Sequence, residues 1–215
     1  MQTLQSTIDE YNAKKGESMP AEVLETMART TSELKGSGIE NKALRAGDRI
    51  PDFSLPNQYG EIRRLADYLA ESPVVLNIYR GGWCPYCNFE MKALADALPE
   101  IKATGARLIG MSPESPEHAQ DTAAQNNIGI EILSDAGNVV SENMGLVFSL
   151  AEELRPIYLG AGLDIPAHNG DDTFLLPVPV TYIVGMDGII KFDFINADYT
   201  HRLEPQDIVA ILKEM

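Results

Sequence analysis

The sequence is poor in cysteine and in positive charge. It has two cysteines in 215 residues, which excludes the multiple-disulfide framework of small secreted proteins. Seventeen lysines and arginines oppose 32 aspartates and glutamates, giving a formal net charge of −15. Because so acidic a surface repels the phosphates of nucleic acids and of anionic membranes, we expect neither as a partner.

Long apolar runs are also missing. No stretch approaches the roughly 18 unbroken apolar residues that a membrane-spanning helix needs. Residues 1–16 are polar and of mixed charge, and they lack the basic start, apolar centre and small-residue cleavage site of a secretory signal. We therefore expect a cytoplasmic protein, and in a reducing cytoplasm a close cysteine pair is more often catalytic or metal-binding than structural.

The sequence pattern changes near residue 46. Before it, apolar residues recur at helical spacing, first at Leu4, Ile8 and Tyr11, and then at Val23, Met27 and Leu34. We predict an N-terminal helical extension over residues 1–45 and a catalytic domain over residues 46–215. The alternative is that these helices pack as part of one core.

After residue 46, short apolar strands alternate with helices. The pattern predicts strands at 74–79, 106–111, 128–133, 180–184 and 189–194. The last two strands read as a hairpin, and a helix over 205–213 follows them. Residues 150–176 show no firm periodicity apart from a helix near 150–158. This order predicts an α/β fold with a mixed central sheet and helices on both faces.

The two cysteines stand three positions apart, directly after the first of these strands. Pro85 suits the first position of a helix, which makes Cys84 the N-cap and Cys87 the third helical residue. Free first-turn amides and the helix dipole there favour a thiolate, with a thiol pKa lowered from about 8.5 into the range of about 3.5 to 7.5. Residues three apart on a helix lie roughly 5 to 6 Å apart at Cβ, close enough for a disulfide. The spacing therefore predicts a dithiol–disulfide redox cycle.

A metal site is the competing interpretation of the pair. A single C-x-x-C supplies two ligands, whereas structural zinc needs four. His118, His168 and His201 are too scattered to complete such a site. No glycine-rich phosphate loop or Ser/His/Asp arrangement is evident either. We therefore expect neither a metal nor an organic cofactor.

Four segments carry a family resemblance: residues 47–55, the cysteine loop 80–88, residues 133–135, and residues 181–184 with 187–188. On these segments residues 47–215 resemble the peroxiredoxin and alkyl hydroperoxide reductase family, within it a peroxiredoxin-like branch with an R-G-x-W-C-P-Y-C-N signature. The resemblance implies a thioredoxin-like fold and the reduction of hydrogen peroxide or organic hydroperoxides. It also implies a thioredoxin- or glutathione-type reductant and a homodimer.

The family motif P-x-x-x-T/S-x-x-C sets a register on this chain. It places the peroxidatic cysteine at Cys87, with Glu90 as the acidic residue three positions later. Three positions depart from the pattern: Arg80 stands for the motif proline, Cys84 for the threonine, and Pro179 for a late arginine. Because the replaced groups normally polarise the peroxide, these departures argue against ordinary fast peroxidase activity.

The same departures are similar to thioredoxin and its relatives, in which the first cysteine attacks and a cis-proline faces the disulfide. On that interpretation Cys84 is the nucleophile, Cys87 resolves, and Pro179 is the cis-proline. On the peroxiredoxin interpretation Cys87 attacks peroxide and Cys84 condenses with its sulfenic acid. Both routes end in a Cys84–Cys87 disulfide that an external thiol must reduce. A non-catalytic redox sensor is a third interpretation.

Further residues are candidates for binding a peroxide or disulfide substrate. Arg80 is a candidate for the cation that lowers a thiol pKa or steadies the peroxide, against the alternative of a solvated arginine at a strand end. Trp83 and Tyr86 are candidates for the rim of a substrate cleft, against simple packing of the loop. Pro179 is a candidate as the cis-proline. Residues 199–202 resemble a family element without an assigned role.

Overall fold

The computed structural model describes residues 3–125 and 128–215. Its helices are α1 (Leu4–Ser18), α2 (Ala21–Gly36), α3 (Ile39–Lys42), α4 (Leu65–Glu71), α5 (Pro85–Ala103), α6 (Pro116–Gln125), α7 (Val139–Asn143), α8 (Leu154–Gly160), α9 (Ile165–Asn169) and α10 (Pro205–Glu214). Its strands are β1 (Ser54–Pro56), β2 (Ile62–Arg64), β3 (Val74–Ile78), β4 (Arg107–Ser112), β5 (Glu131–Ser134), β6 (Val147–Ser149), β7 (Leu175–Pro177), β8 (Val180–Val184) and β9 (Ile190–Ile195). A 3₁₀ turn covers Ala136–Asn138. None of the described helices is long and apolar enough to cross a bilayer.

A mixed sheet forms the centre of the fold. In the described residues its five strands run in the order β5-β4-β3-β8-β9. The strands β3, β4 and β5 are parallel to one another, whereas β8 pairs antiparallel with both β3 and β9. The predicted mixed sheet is therefore confirmed, with β3 at its middle. The largest difference in strand bounds is at β5, which begins at Glu131 rather than at residue 128.

Both faces of the sheet are covered, because successive side chains of a strand point to opposite faces. On one face Val75, Leu108 and Ile183 pack in a core cluster with residues of α1, α5 and α10. On the other face the alternate strand residues, such as Leu76 and Tyr182, pack with residues of α4 and α7. The predicted layering of helices on both faces is confirmed.

The helix α1 packs directly on this core. Leu4 and Ile8 are buried in the same cluster as the residues of α5. The first amides of α1 are satisfied from the far end of the chain, since the Leu4 and Gln5 amides donate to the Glu204 carboxylate at 3.0 and 2.8 Å. A carboxylate is favoured at a helix N-terminus. The first two residues of the predicted extension lie outside the described residues, and its boundary at residue 46 stays a prediction.

The segment without firm periodicity, residues 150–176, forms two short helices and a strand. Helix α8 begins at Leu154 rather than near residue 150, and α9 begins after the Asp164 side chain, which accepts from the Ala167 amide. Leu154, Tyr158 and Ile165 are buried in the same cluster as the α5 residues. This segment therefore covers the end of the sheet at which α5 starts.

The expectation of a cis-proline at Pro179 is wrong, because the described residues contain no cis peptide bond. Pro179 lies in the two-residue link between β7 and β8. The Val178 amide donates to the Leu146 carbonyl at 2.9 Å, and Val180 pairs with β3 and β9. The bond before Pro179 is therefore trans, the isomer that is favoured by about 0.5 to 1 kcal/mol for X-Pro bonds.

Candidate active site

Two glycines shape the loop between β3 and α5. Gly81 has φ of +142°, and a Cβ atom there would collide with the Trp83 indole. A Cβ atom at Gly82 would collide with the Thr122 side chain of α6. A larger residue at either position would push the loop away from its neighbours. The glycines therefore hold this loop close to both its own tryptophan and α6.

Both cysteines lie where the helix begins, as predicted. Cys84 is the N-cap of α5, Pro85 is in the first turn, and the Asn88 amide donates to the Cys84 carbonyl at 3.1 Å. Both thiols are free, and neither residue exposes any surface. The sulfurs sit at the positive end of a helix 19 residues long, where the free amides favour an anion.

Arg80 contacts one of the sulfurs. Its Nη2 lies 3.0 Å from the Cys84 sulfur, and its guanidinium carbon lies 3.9 Å from the centre of the Tyr199 ring. Arg80 is 3% exposed, so the alternative of a solvated arginine is wrong. Within the described chain no carboxylate lies within 4 Å of Arg80. The group in contact with Arg80 that can carry a negative charge is therefore the Cys84 sulfur.

A second arginine, Arg202, for which the sequence pattern predicts no role, contacts the other sulfur. Its Nε donates to the Glu90 carboxylate at 2.9 Å, and its Nη2 lies 3.7 Å from the Cys87 sulfur. The Arg202 and Glu90 side chains are 1% and 3% exposed. Two signals in the sequence point here, the acidic residue of the family motif and the family-like segment 199–202. Neither signal indicates that Arg202 contacts Glu90.

The pKa values of the two thiols are shifted in opposite directions. Burial acts to raise the pKa of the Cys84 thiol, but a hydrogen bond from Cys87 and the charges of Arg80 and Arg202 hold that pKa well below its ordinary value. For Cys87, burial and the hydrogen bond and negative charge at Cys84 raise the thiol pKa well above its ordinary value. We assign the thiolate to Cys84, because Arg80 is closer to it and is not shared with a carboxylate.

Trp83 and Tyr86 lie beside these groups and line a cavity of about 220 Å³, the inner cavity, together with Arg80. Tyr86 packs edge-on against Tyr11 of α1 and Tyr199, with ring centres 5.3 Å apart in each pair. Both residues therefore face a space next to the cysteines, as predicted for a cleft. The prediction that Pro179 binds substrate is not supported here, since Pro179 does not line this cavity.

No cluster of three or more histidine, cysteine, aspartate or glutamate side chains suited to a metal ion occurs in residues 3–125 and 128–215. The fold and the site together define a protein of thioredoxin-like fold with a paired-thiol site at a helix N-terminus.

The AhpC/TSA family profile matches residues 46–193, and the chain belongs to that family. Its similarity to Peroxiredoxin Bcp of Escherichia coli is 33% identity over 103 residues, 48% of this chain and 65% of that protein. The chain thus spans less than two thirds of the length of the first curated relatives that it matches.

Solved structures share the fold. The crystal structure of Peroxidoxin BcpB from Mycobacterium tuberculosis superposes with a TM-score of 0.63 at 23% identity, over 80% of this chain and 98% of that chain. A PrxQ variant of Xylella fastidiosa gives a TM-score of 0.63 at 14% identity, over 80% of this chain and 96% of that chain. The helices α1 and α2 precede the residues that the family profile covers.

Proposed function

We propose that this protein is a thiol-dependent peroxidase that reduces hydrogen peroxide or organic hydroperoxides through Cys84 and Cys87. The observation that carries the proposal is the contact of the Arg80 guanidinium with the Cys84 sulfur, 3.0 Å away, with a second thiol in the first turn of the helix. A thiolate is the reactive form of cysteine. Membership of the AhpC/TSA family supports peroxide as the oxidant.

The proposed reaction proceeds in two steps. The Cys84 thiolate attacks the terminal oxygen of a hydroperoxide, the O–O bond breaks, and the products are a Cys84 sulfenic acid and an alkoxide that takes a proton from water. The Cys87 thiol then attacks the sulfenic sulfur, and its proton leaves with the hydroxide as water. Two thiols have lost two electrons, and the hydroperoxide has gained them. Arg80 lies where it can stabilise charge on the departing oxygen.

An external thiol must return the electrons, and we propose a thioredoxin- or glutathione-type reductant. Because neither cysteine exposes any surface, the reductant can reach the disulfide only after the residues over it move apart. We further propose that the protein acts in the cytoplasm as a homodimer, which the family resemblance supports. Sedimentation of the purified protein tests the dimer.

A second candidate is a thiol–disulfide oxidoreductase with Cys84 as the nucleophile. The observation that favours it is the contact of Arg80 with the sulfur of Cys84, the first cysteine of the C-x-x-C pair, since the guanidinium lowers the pKa of that thiol. Catalysed reduction of a protein disulfide without turnover of peroxide would select this function. A single oxidation with no turnover of either substrate would select the redox sensor.

Trp83 provides a direct test, since it is the only tryptophan in the sequence and is adjacent to Cys84. On mixing the reduced protein with peroxide, we expect the emission of Trp83 to change in step with the loss of two thiols. Addition of a thioredoxin system should then give sustained consumption of peroxide. A protein whose thiols are alkylated beforehand is the control. If one slow oxidation occurs and turnover never follows, the peroxidase proposal is wrong.

Replacing Arg80 with glutamine should move the pH profile of the reaction. The arginine holds the pKa of the Cys84 thiol down, and activity requires the thiolate, which forms above that pKa. Loss of the guanidinium raises the pKa, so the rising limb of the rate against pH shifts to higher pH, and Arg80→Lys shifts it less. The ultraviolet absorbance of the thiolate measures the same pKa.

The matched control is Arg155→Gln. The Arg155 guanidinium also lies over an aromatic ring, 4.5 Å from the centre of Phe174, but it contacts neither sulfur. We expect its pH profile to stay where the wild-type profile lies. An unchanged profile in Arg80→Gln would mean that Arg80 does not set the charge on Cys84.

A further inference from the structure

One side of the inner cavity is built by helices that the family profile does not cover. Tyr11, Lys15 and Met27 of α1 and α2 form one side of it, and these residues precede the matched stretch, residues 46–193. Tyr158 of α8, with Trp83 and Arg80, forms the other side. The walls are mostly aromatic or aliphatic. Such a lining suits the apolar body of an organic molecule.

Lys15 is a cation in this apolar setting without a carboxylate partner. It is half-buried, and its ammonium contacts the Tyr86 hydroxyl at 3.4 Å and lies 5.7 Å from the centre of the Tyr86 ring. Throughout residues 3–125 and 128–215, no carboxylate lies within 4 Å of it. Burial and the nearby charge of Arg80 lower its pKa, against the opposing charges of Cys84 and of the Asp198 carboxylate, which lies beyond contact distance. An ammonium has three donors, and a ligand carboxylate would satisfy the remaining ones.

Lys15 also lies where two cavities meet. It lines both the inner cavity and an adjoining space of about 390 Å³, the outer cavity, which α1 and α2 also border. Arg80 lines the inner cavity and contacts the Cys84 sulfur. A molecule in the inner cavity therefore meets one cation where the two cavities adjoin and a second cation beside the reactive sulfur. The two ends differ in what they can bind, since Arg80 has the thiolate beside it and Lys15 has no anion in contact.

We infer that the inner cavity binds an organic hydroperoxide that bears a carboxylate, with the carboxylate on Lys15, the apolar chain between Met27 and Tyr158, and the peroxide beside Arg80, whose guanidinium contacts the buried Cys84 sulfur. This inference rests on the proposed peroxidase function and names its substrate class. The chemical step is the one given above, with the hydroperoxy acid reduced to the hydroxy acid. Lys15 acts as a specificity residue.

The test compares the terminal hydroperoxide of octanoic acid with that of its methyl ester. We expect the wild-type protein to favour the acid in kcat/KM by about tenfold or more, because a hydrogen bond to a charged group contributes that much. In Lys15→Met the ratio of acid to ester should fall to about one, and Lys15→Gln provides a second variant. Lys14→Met is the matched control, since Lys14 is exposed on the same helix and should keep the wild-type ratio.

A binding measurement separates this inference from the peroxidase function. The corresponding hydroxy acid and its methyl ester are titrated into the reduced protein, with Trp83 emission as the signal. We expect the wild-type protein and Lys14→Met to bind the acid more tightly than the ester, and Lys15→Met to lose this preference. That result supports the inference even if no hydroperoxide is turned over. Equal affinity for acid and ester in the wild-type protein overturns it, while turnover of hydrogen peroxide would still support the peroxidase.

Discussion

In the variant Cys87→Ser, peroxide should produce a sulfenic acid on Cys84 that persists, because the thiol that resolves it is gone. In Cys84→Ser, oxidation of Cys87 should be at least about tenfold slower at neutral pH. The reason is electrostatic: Arg202, the arginine next to Cys87, is shared with the Glu90 carboxylate, whereas Arg80 has no such partner. Steady turnover should fall in both variants by at least about a thousandfold, as is usual when a member of a reacting pair is removed.

Trapping of the sulfenic acid with dimedone, followed by mass spectrometry, measures this outcome for each variant. The double variant Cys84→Ser/Cys87→Ser provides the background. Faster trapping in Cys84→Ser than in Cys87→Ser would reverse the order and restore Cys87 as the peroxidatic residue, as the family motif alone predicts. Turnover that survives in either single variant would remove the dithiol cycle itself.

The central part of the fold could be predicted because its signals are local. The run at 74–79 is β-branched and apolar, and Pro85 marks the start of a helix within a few residues of it. Strand, loop and helix are therefore encoded in adjacent positions. The place of Cys84 and Cys87 at the helix terminus follows from the same signals, and the structure confirms it.

The surroundings of the two sulfurs could not be predicted in the same way. Arg202 meets Glu90 across 112 positions of sequence, and no periodicity indicates such a contact. The helix α1 contributes Tyr11 and Lys15 beside the cysteines, although the pattern of its apolar residues shows only that it is a helix. Distant contacts depend on how helices pack on the sheet, and local spacing carries no information on that.

The error at Pro179 has a different cause. A proline before a strand has the same local sequence whether its peptide bond is cis or trans, and the similarity to thioredoxin was the only reason to expect cis. In this chain a further strand, β7, ends at Pro177, immediately before the linker. The Val178 amide in that linker is paired with the Leu146 carbonyl, and the bond to Pro179 is trans, so the resemblance in sequence did not extend to the backbone there.

The buried pair of Arg202 and Glu90 should be the most sensitive point for stability. In Arg202→Met, the Glu90 carboxylate keeps its burial and loses its partner, and breaking a buried pair in this way costs about 3 to 5 kcal/mol. For a chain of this size we expect the unfolding temperature to fall by about 6 to 20 °C. The exposed pair of Lys191 and Asp187 is the control, and Lys191→Met should cost less than about 1 kcal/mol.

The loss in Arg202→Met should also depend on pH, in a direction that the charge on Glu90 fixes. Burial raises the pKa of Glu90, and Arg202 opposes that rise. Without the arginine, the pKa of Glu90 in the folded protein therefore rises further above its value in the unfolded chain. A protonated Glu90 needs no counter-charge. The deficit in the free energy of unfolding should therefore shrink as the pH falls below the pKa of folded Glu90, and grow as the pH rises through it. The double variant Glu90→Met/Arg202→Met should recover most of the loss at neutral pH. A deficit that is equal at all pH values and persists in the double variant would contradict this. It would show that Arg202 stabilises the fold by packing and not by pairing with Glu90.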